Sequence, residues 1–202
     1  MKQRELIDFL NVIEKLKCNT RHSWTSTGRH ESVAEHSWRL AVMALLLEEE
    51  FPGVDISKVL RMCLIHDFGE ALTGDIPAFL KTSRDEENEE AAIAELLSFL
   101  PSAAEKDFTT LFDEMAKLET PEAKLYKALD KMETIISHNE SSIASWLPLE
   151  YEQNLTYGAS NVAHSEYLKE LKEEINRDSI RKIEENLRKG ESGYGKSGNQ
   201  QF

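Results

Sequence analysis

The sequence predicts an all-α, single-domain protein, and three observations carry that prediction. Only 9 Gly and 5 Pro occur among 202 residues, too few interruptions for a turn-rich β-sandwich. Apolar residues recur at three- and four-residue spacing through most of the chain, whereas strand-like alternation never persists beyond a few residues. At roughly 100–200 residues per domain, the length suits one domain with a substantial core.

Taken in order, Leu6, Phe9, Leu10, Ile13 and Leu16 share one face of an opening helix. Thr20 to Arg29 has no period and reads as a polar loop carrying Arg21, His22 and Arg29. Ser32 and Glu35 have capping-box spacing, so a helix is predicted from there to about Glu50, with His36, Leu40, Met43 and Leu47 on its inward face. A third helix is predicted from about Ser57, with His66 and Glu70 near its apolar stripe, ended by Thr73-Gly74-Asp75-Ile76-Pro77. Five acids between Asp85 and Glu90 read as a solvated helix start leading to Leu100. Ser102 and Glu105 repeat the capping spacing before the next helix, and Thr120-Pro121-Glu122 supplies a cap, a first-turn proline and a first-turn acid for another. Ser160 to Lys189 reads as helical, broken in two near Asp178, and the glycine-rich stretch 190–202 as a flexible tail after a domain of residues 1–189.

The formal net charge of −13 repels long polyanions and anionic membranes, so any nucleotide bound is predicted to be small and held by a local cation. The longest apolar run, Leu40 to Leu47, is far short of the ~20 residues that span a bilayer. The acidic opening residues make a poor signal core. Cys18 and Cys63 form no disulfide framework and suit a reducing cytoplasm, both read as buried thiols. The amphipathic terminal helices are compatible with a homodimer or higher homo-oligomer.

His36, the adjacent pair His66-Asp67, and Asp130 are four potential ligands beside apolar stripes of three predicted helices. Such side chains can meet in the centre of a helical bundle, and two imidazoles with two carboxylates suit a divalent first-row metal. Glu70, one turn after His66, is placed to handle a proton, and Asp75 sits in the turn at the mouth of such a site. A cation held there would keep positions open for water and a phosphate oxygen. Cys63 and His66 have Cys-x-x-His spacing, but no second such pair completes a zinc site. His138 is a weak candidate for a second metal, and Trp146 and Tyr151 for the lining of a base pocket.

In chain order these ligands resemble the H…HD…D signature of HD-domain metal-dependent phosphohydrolases. The match runs through Glu31-Ser32-Val33-Ala34-Glu35-His36-Ser37, Ile65-His66-Asp67-Phe68-Gly69-Glu70-Ala71, Thr73-Gly74-Asp75-Ile76-Pro77 and Ala128-Leu129-Asp130-Lys131, with its motif core at about residues 20–140. Within the superfamily the chain is most similar to the 5'-deoxynucleotidase branch that includes the HD-domain-containing protein 2 group. The resemblance implies an HD-type helical bundle in which His36, His66, Asp67 and Asp130 hold one divalent ion, cobalt or manganese in many members. It implies release of phosphate from 2'-deoxyribonucleoside 5'-monophosphates, with Arg21 contacting the phosphate and Glu70 and Asp75 as the catalytic acids. Asp75, Ile76, Pro77 and Ala78 would form a substrate-binding turn. In the bacterial deoxynucleotidase a tryptophan directly follows the loop arginine; here His22 holds that place and Trp24 comes two positions later. The competing functions are a triphosphohydrolase of the same superfamily and a non-catalytic nucleotide-sensing or protein-docking module.

Overall fold

A computed structural model describes residues 1–194. In chain order its elements are α1 (Gln3–Ile13), a 3-10 turn (Glu14–Lys17), β1 (Thr20–Trp24), β2 (His30–Ser32), α2 (Val33–Leu46) and α3 (Ile56–Ile65). There follow α4 (Glu70–Thr73), α5 (Ser83–Leu97), α6 (Ser102–Lys117), α7 (Pro121–Glu140), α8 (Glu150–Thr156) and α9 (Glu166–Tyr194).

The axis of the fold is α7. Thr120 caps it by accepting a hydrogen bond from the Ala123 N–H, and Pro121 fills its first turn, where a missing N–H costs nothing. Its Leu125, Ala128, Leu129, Met132 and Ile135 are almost wholly buried, and α2, α3, α6 and α9 pack around it. A smaller cluster joins α1 to α5 through Phe9, Leu96, Leu97 and Leu100. Phe68 touches both clusters and a third one around Leu16, Val33 and Ala71. It therefore pins the turn containing His66 and Asp67 to the rest of the molecule. Next to it, a Cβ on Gly69 would come within 2.9 Å of Glu89 Cγ and 3.1 Å of the Glu89 carbonyl, so only glycine lets α5 approach this turn so closely.

Several local expectations are corrected. The polar loop at Thr20 to Arg29 is largely a hairpin: β1 and β2 pair antiparallel, with Thr20 opposite Ser32 and Trp24 opposite His30. Four residue steps on β1 face two on β2, and this irregularity erases the alternation by which a strand is normally recognised. The third helix stops at Ile65, so His66 and Asp67 lie in a turn before the short α4; tight i to i+3 bonds such as Phe68 N–H to Ile65 O replace helical ones. Pro101, not Ser102, occupies the cap position of α6. The predicted break near Asp178 is absent because α9 is continuous, and the segment from Ser160 to Ser165 precedes it as turns. Helix also replaces the expected tail at residues 190–194, while 195–202 lie outside the described residues. Cys18 is exposed, and only Cys63 is buried.

Leu129→Ala should destabilise the protein by about 2–5 kcal/mol through the cavity it leaves at a fully buried site. Leu46→Ala, at a site 77% exposed, should stay within about 0.5 kcal/mol of the parent. Equilibrium urea unfolding of the two variants checks the contrast.

Candidate metal centre

Local sequence chemistry aims each donor inward. The Ser32 hydroxyl accepts from the Glu35 N–H at 3.3 Å, and the Glu35 carboxylate accepts from the Ser32 N–H at 2.9 Å, closing the capping box that starts α2. One residue later His36 enters the core, almost wholly buried. His66 follows the last residue of α3, and its Nδ1–H donates to the Cys63 carbonyl at 2.9 Å. Asp130 comes from the middle of α7.

The four side chains converge. His36 Nε2 and His66 Nε2 are 3.2 Å apart, and Asp67 Oδ2 is 3.0 Å from His66 Nε2. Asp130 Oδ1 is 3.4 Å and 3.8 Å from the two imidazole nitrogens. Donor atoms of His36, His66 and Asp67 all fall within 4.8 Å of one another.

The hydrogen bonds behind the rings show that this arrangement suits a cation. His66 Nδ1 faces a carbonyl and His36 Nδ1 faces the Glu133 carboxylate, so both Nδ1 atoms carry hydrogen. Two Nε2 lone pairs and two carboxylates are thereby turned on one small volume, where a single proton can serve only one of them. Such a donor set and outer hydrogen bonding suit a divalent cation. Burial and the Arg21 charge push the His36 imidazolium down, but Glu133 and Asp130 outweigh them and hold it up to about 9. Burial alone would raise both aspartates; Lys127 and His36 keep Asp130 well below the usual carboxylate range, and His66 and His36 do the same for Asp67.

Behind His36 lies a web that sequence reasoning missed. Fully buried Glu133 accepts from His36, from Arg39 Nε at 2.6 Å and from the Ser137 hydroxyl at 3.2 Å, with Arg21 at 3.4 Å. Burial would raise Glu133, yet His36, Arg21 and Arg39 hold it down at about 2. Arg21 also donates to Glu31 at 3.2 Å and to the Thr134 hydroxyl at 3.1 Å. The available signal was the three-residue offset of Glu133 from Asp130, which places both on neighbouring faces of one helix.

A cleft with a cavity volume of about 180 Å³ opens over the cluster. Of the predicted site residues, Arg21, His22, His36, Asp67, Glu70, Asp75, Ile76, Pro77, Ala78 and Asp130 line it. His66 is not part of the lining, its Nε2 lying 3.2 Å from that of His36, and Trp24 is not brought in: its ring packs at a tilt on His30, centroids 3.7 Å apart. The strand irregularity explains why consecutive Arg21 and His22 both reach the cleft while Trp24 does not. Burial and the charges of Asp67, Asp75 and Glu89 push Glu70 up to about 10, so it is protonated at neutral pH, and its Oε2 is buried without a partner. Burial, followed by Asp67, likewise raises Asp75, against the opposing pull of Arg21. Lys81, Lys127 and Lys131 add positive charge to the lining. His138 lines the cleft too, but belongs to none of the donor clusters among the described residues.

A helical scaffold presenting two histidines and two aspartates inside a basic-rimmed cleft defines the class of HD-type hydrolases. The HD-domain family model matches residues 13–172, and the chain belongs to that family. It is similar to the 5'-deoxynucleotidase HDDC2 of Bos taurus, 34% identical over 141 residues that cover 68% of each chain. The corresponding protein of Dictyostelium discoideum is 33% identical, covering 66% of this chain and 76% of its own. Among solved structures, a protein from Magnetospirillum magnetotacticum described as a "predicted metal-dependent phosphohydrolase" has a TM-score of 0.76 at 29% identity, covering 89% of this chain and 93% of that one.

Because an ion must displace the His36 proton, metal affinity should rise about tenfold per pH unit up to about pH 9 and level off above it. Glu133→Ala frees the ring but also removes the carboxylate that holds the competing His36 proton, so it should flatten this pH dependence and show its about 10–100-fold loss of affinity above pH 9, where the parent proton no longer competes. Manganese titration calorimetry across this pH range reads both effects.

Proposed function

We propose that this protein is a metal-dependent 5'-deoxynucleotidase, releasing phosphate from 2'-deoxyribonucleoside 5'-monophosphates. The observation that carries the reading is the convergence of two imidazoles and two carboxylates on a cleft that also holds a buried arginine and a buried glutamate. Similarity to the HDDC2 deoxynucleotidases supports the substrate class.

His36, His66, Asp67 and Asp130 would hold one divalent ion, with cobalt or manganese the first candidates. Bound there, such an ion supplies Lewis acidity to a phosphoryl oxygen and makes water more acidic.

The chain's own groups divide the remaining work. Arg21 stays charged at any working pH, since Glu133, Asp67 and Glu31 outweigh its burial, and its guanidinium neutralises phosphate oxygens. Its bonds to Glu31 and Thr134 fix it before substrate arrives, so little ordering is left to binding. As water oxygen bonds to phosphorus and the P–O5' bond breaks, Glu70 delivers its proton to O5'. Asp75 takes the proton that the water loses; its raised proton affinity makes it a better base than a solvent-exposed aspartate. Asp75, Ile76, Pro77 and Ala78 flank the substrate, and His22 stands beside the sugar in the place where the bacterial relatives carry tryptophan.

The reading extends to setting and assembly. The free thiols of Cys18 and Cys63 suit a reducing cytoplasm, and exposed apolar side chains on α1, including Leu6, Ile7 and Leu10, suit self-association as a homodimer or higher homo-oligomer.

Incubation with dAMP, dGMP, dUMP and TMP in the presence of cobalt or manganese should yield free phosphate and the deoxynucleoside. No phosphate release with any metal would overturn the assignment. Glu70→Gln should lower kcat by about 10²–10⁴ while leaving metal content intact; elemental analysis beside the rate measurement separates loss of the proton donor from loss of the ion.

A further inference from the structure

The cleft continues beyond the four donors along α7. Lys127, Asp130, Thr134 and His138 recur at i, i+3, i+7 and i+11 and all line it. At 1.5 Å per residue His138 lies about 12 Å along the helix axis from Asp130, comparable with the span of a mononucleotide from phosphorus to the far edge of its base.

At that distal end α8 presents Glu150 and Asn154, one turn apart on the same face. Both line the cleft, yet they are only 2% and 3% exposed. One oxygen of Glu150, Oε2, accepts from the Leu147 N–H at 2.7 Å. The other, Oε1, is buried with no hydrogen-bond partner; His22 Nε2 and His138 Nε2 approach it at 3.3 Å and 3.8 Å without forming such a bond. Asn154 Oδ1 accepts from His138 Nδ1 at 3.0 Å, while its Nδ2 is likewise buried and unpartnered. Folded proteins rarely leave buried polar atoms on two neighbouring side chains without hydrogen bonds unless a ligand completes them.

The position of this pair is fixed from behind. Lys172 of α9 donates to the carbonyls of Asn154 at 3.1 Å and Leu155 at 3.4 Å, and Asn176 donates to Leu155 at 3.0 Å. The end of α8 is therefore held before any ligand binds.

We propose that Glu150 and Asn154 form the nucleobase end of the cleft, an inference that rests on the nucleotide reading above. Glu150 Oε1 accepts an N–H from the pairing edge of the base, and Asn154 Nδ2 donates to the neighbouring carbonyl or ring nitrogen. Each standard base offers that combination: N1–H beside O6 in guanine, N3–H beside O4 in thymine, an N6 hydrogen beside N1 in adenine, an N4 hydrogen beside N3 in cytosine. The pair thus recognises the presence of a base more than its identity. A baseless sugar phosphate leaves both atoms unpaired.

The test compares kcat/KM for TMP and dGMP with that for 2-deoxyribose 5-phosphate, in the manganese-loaded parent, in Glu150→Ala and in the isosteric Asn154→Asp, with melting curves to verify folding. The parent should favour the nucleotides at least tenfold, and each variant should shrink that ratio at least fivefold, mainly through KM. A parent that treats nucleotide and baseless substrate alike overturns the inference. So does a folded Asn154→Asp variant whose ratio stays within twofold of the parent, because bracing of α8 alone would depress both substrates together. Failure of the parent to release phosphate from either substrate overturns the nucleotide reading itself, and this inference with it.

Discussion

The structure depends on how it keeps negative charge in its interior. Asp67, Asp130, Glu133 and Glu31 come together from a turn, the middle of α7 and the hairpin, in surroundings where an unpaired carboxylate is heavily penalised. Arg21, Arg39, Lys127 and His36 answer most of that charge. What remains is concentrated where two imidazole nitrogens and two carboxylates meet. A fold of this size does not accumulate such groups for stability, since apolar packing would serve that end better. Their convergence is a binding device, and the surrounding pairs hold it in shape.

That device also explains why the long helix stands in the centre. One side of α7 buries Leu125, Leu129 and Met132 among its neighbours, and another carries Lys127, Asp130 and Thr134 to the cleft. Glu133 lies between these sides and ties His36 to Arg21, so the proposed metal ligand and the proposed phosphate contact share one support. The same packing that excludes water from the core holds the donors of His36, His66 and Asp67 within 4.8 Å of one another. Rigid elements, with few loop residues, are what such a site needs.

Much of this was legible in the residues. Capping-box spacing at Ser32 and Glu35 fixed the helical phase that turns His36 inward, and Thr120-Pro121 did the same for Asp130. The resemblance to the HD signature joined them to His66 and Asp67. Other features left no local trace. The hairpin was hidden because its irregular register removes alternation, and Trp24, opposite His30 across the pair, packs on that ring and away from the cleft. The turn at His66 to Gly69 reads as helix because helical and 3-10 spacings coincide over so few residues. Glu133, Glu150 and Asn154 look like surface residues in sequence; only tertiary packing reveals them as buried, and burial is what gives them a role.

Anomalous diffraction from crystals grown with manganese reads directly whether His36, His66, Asp67 and Asp130 grip a single ion. The predicted result is one strong manganese peak within about 2.0–2.3 Å of His36 Nε2, His66 Nε2 and an oxygen from each of Asp67 and Asp130. A fully occupied peak elsewhere, or none at this point under saturating manganese, would contradict it.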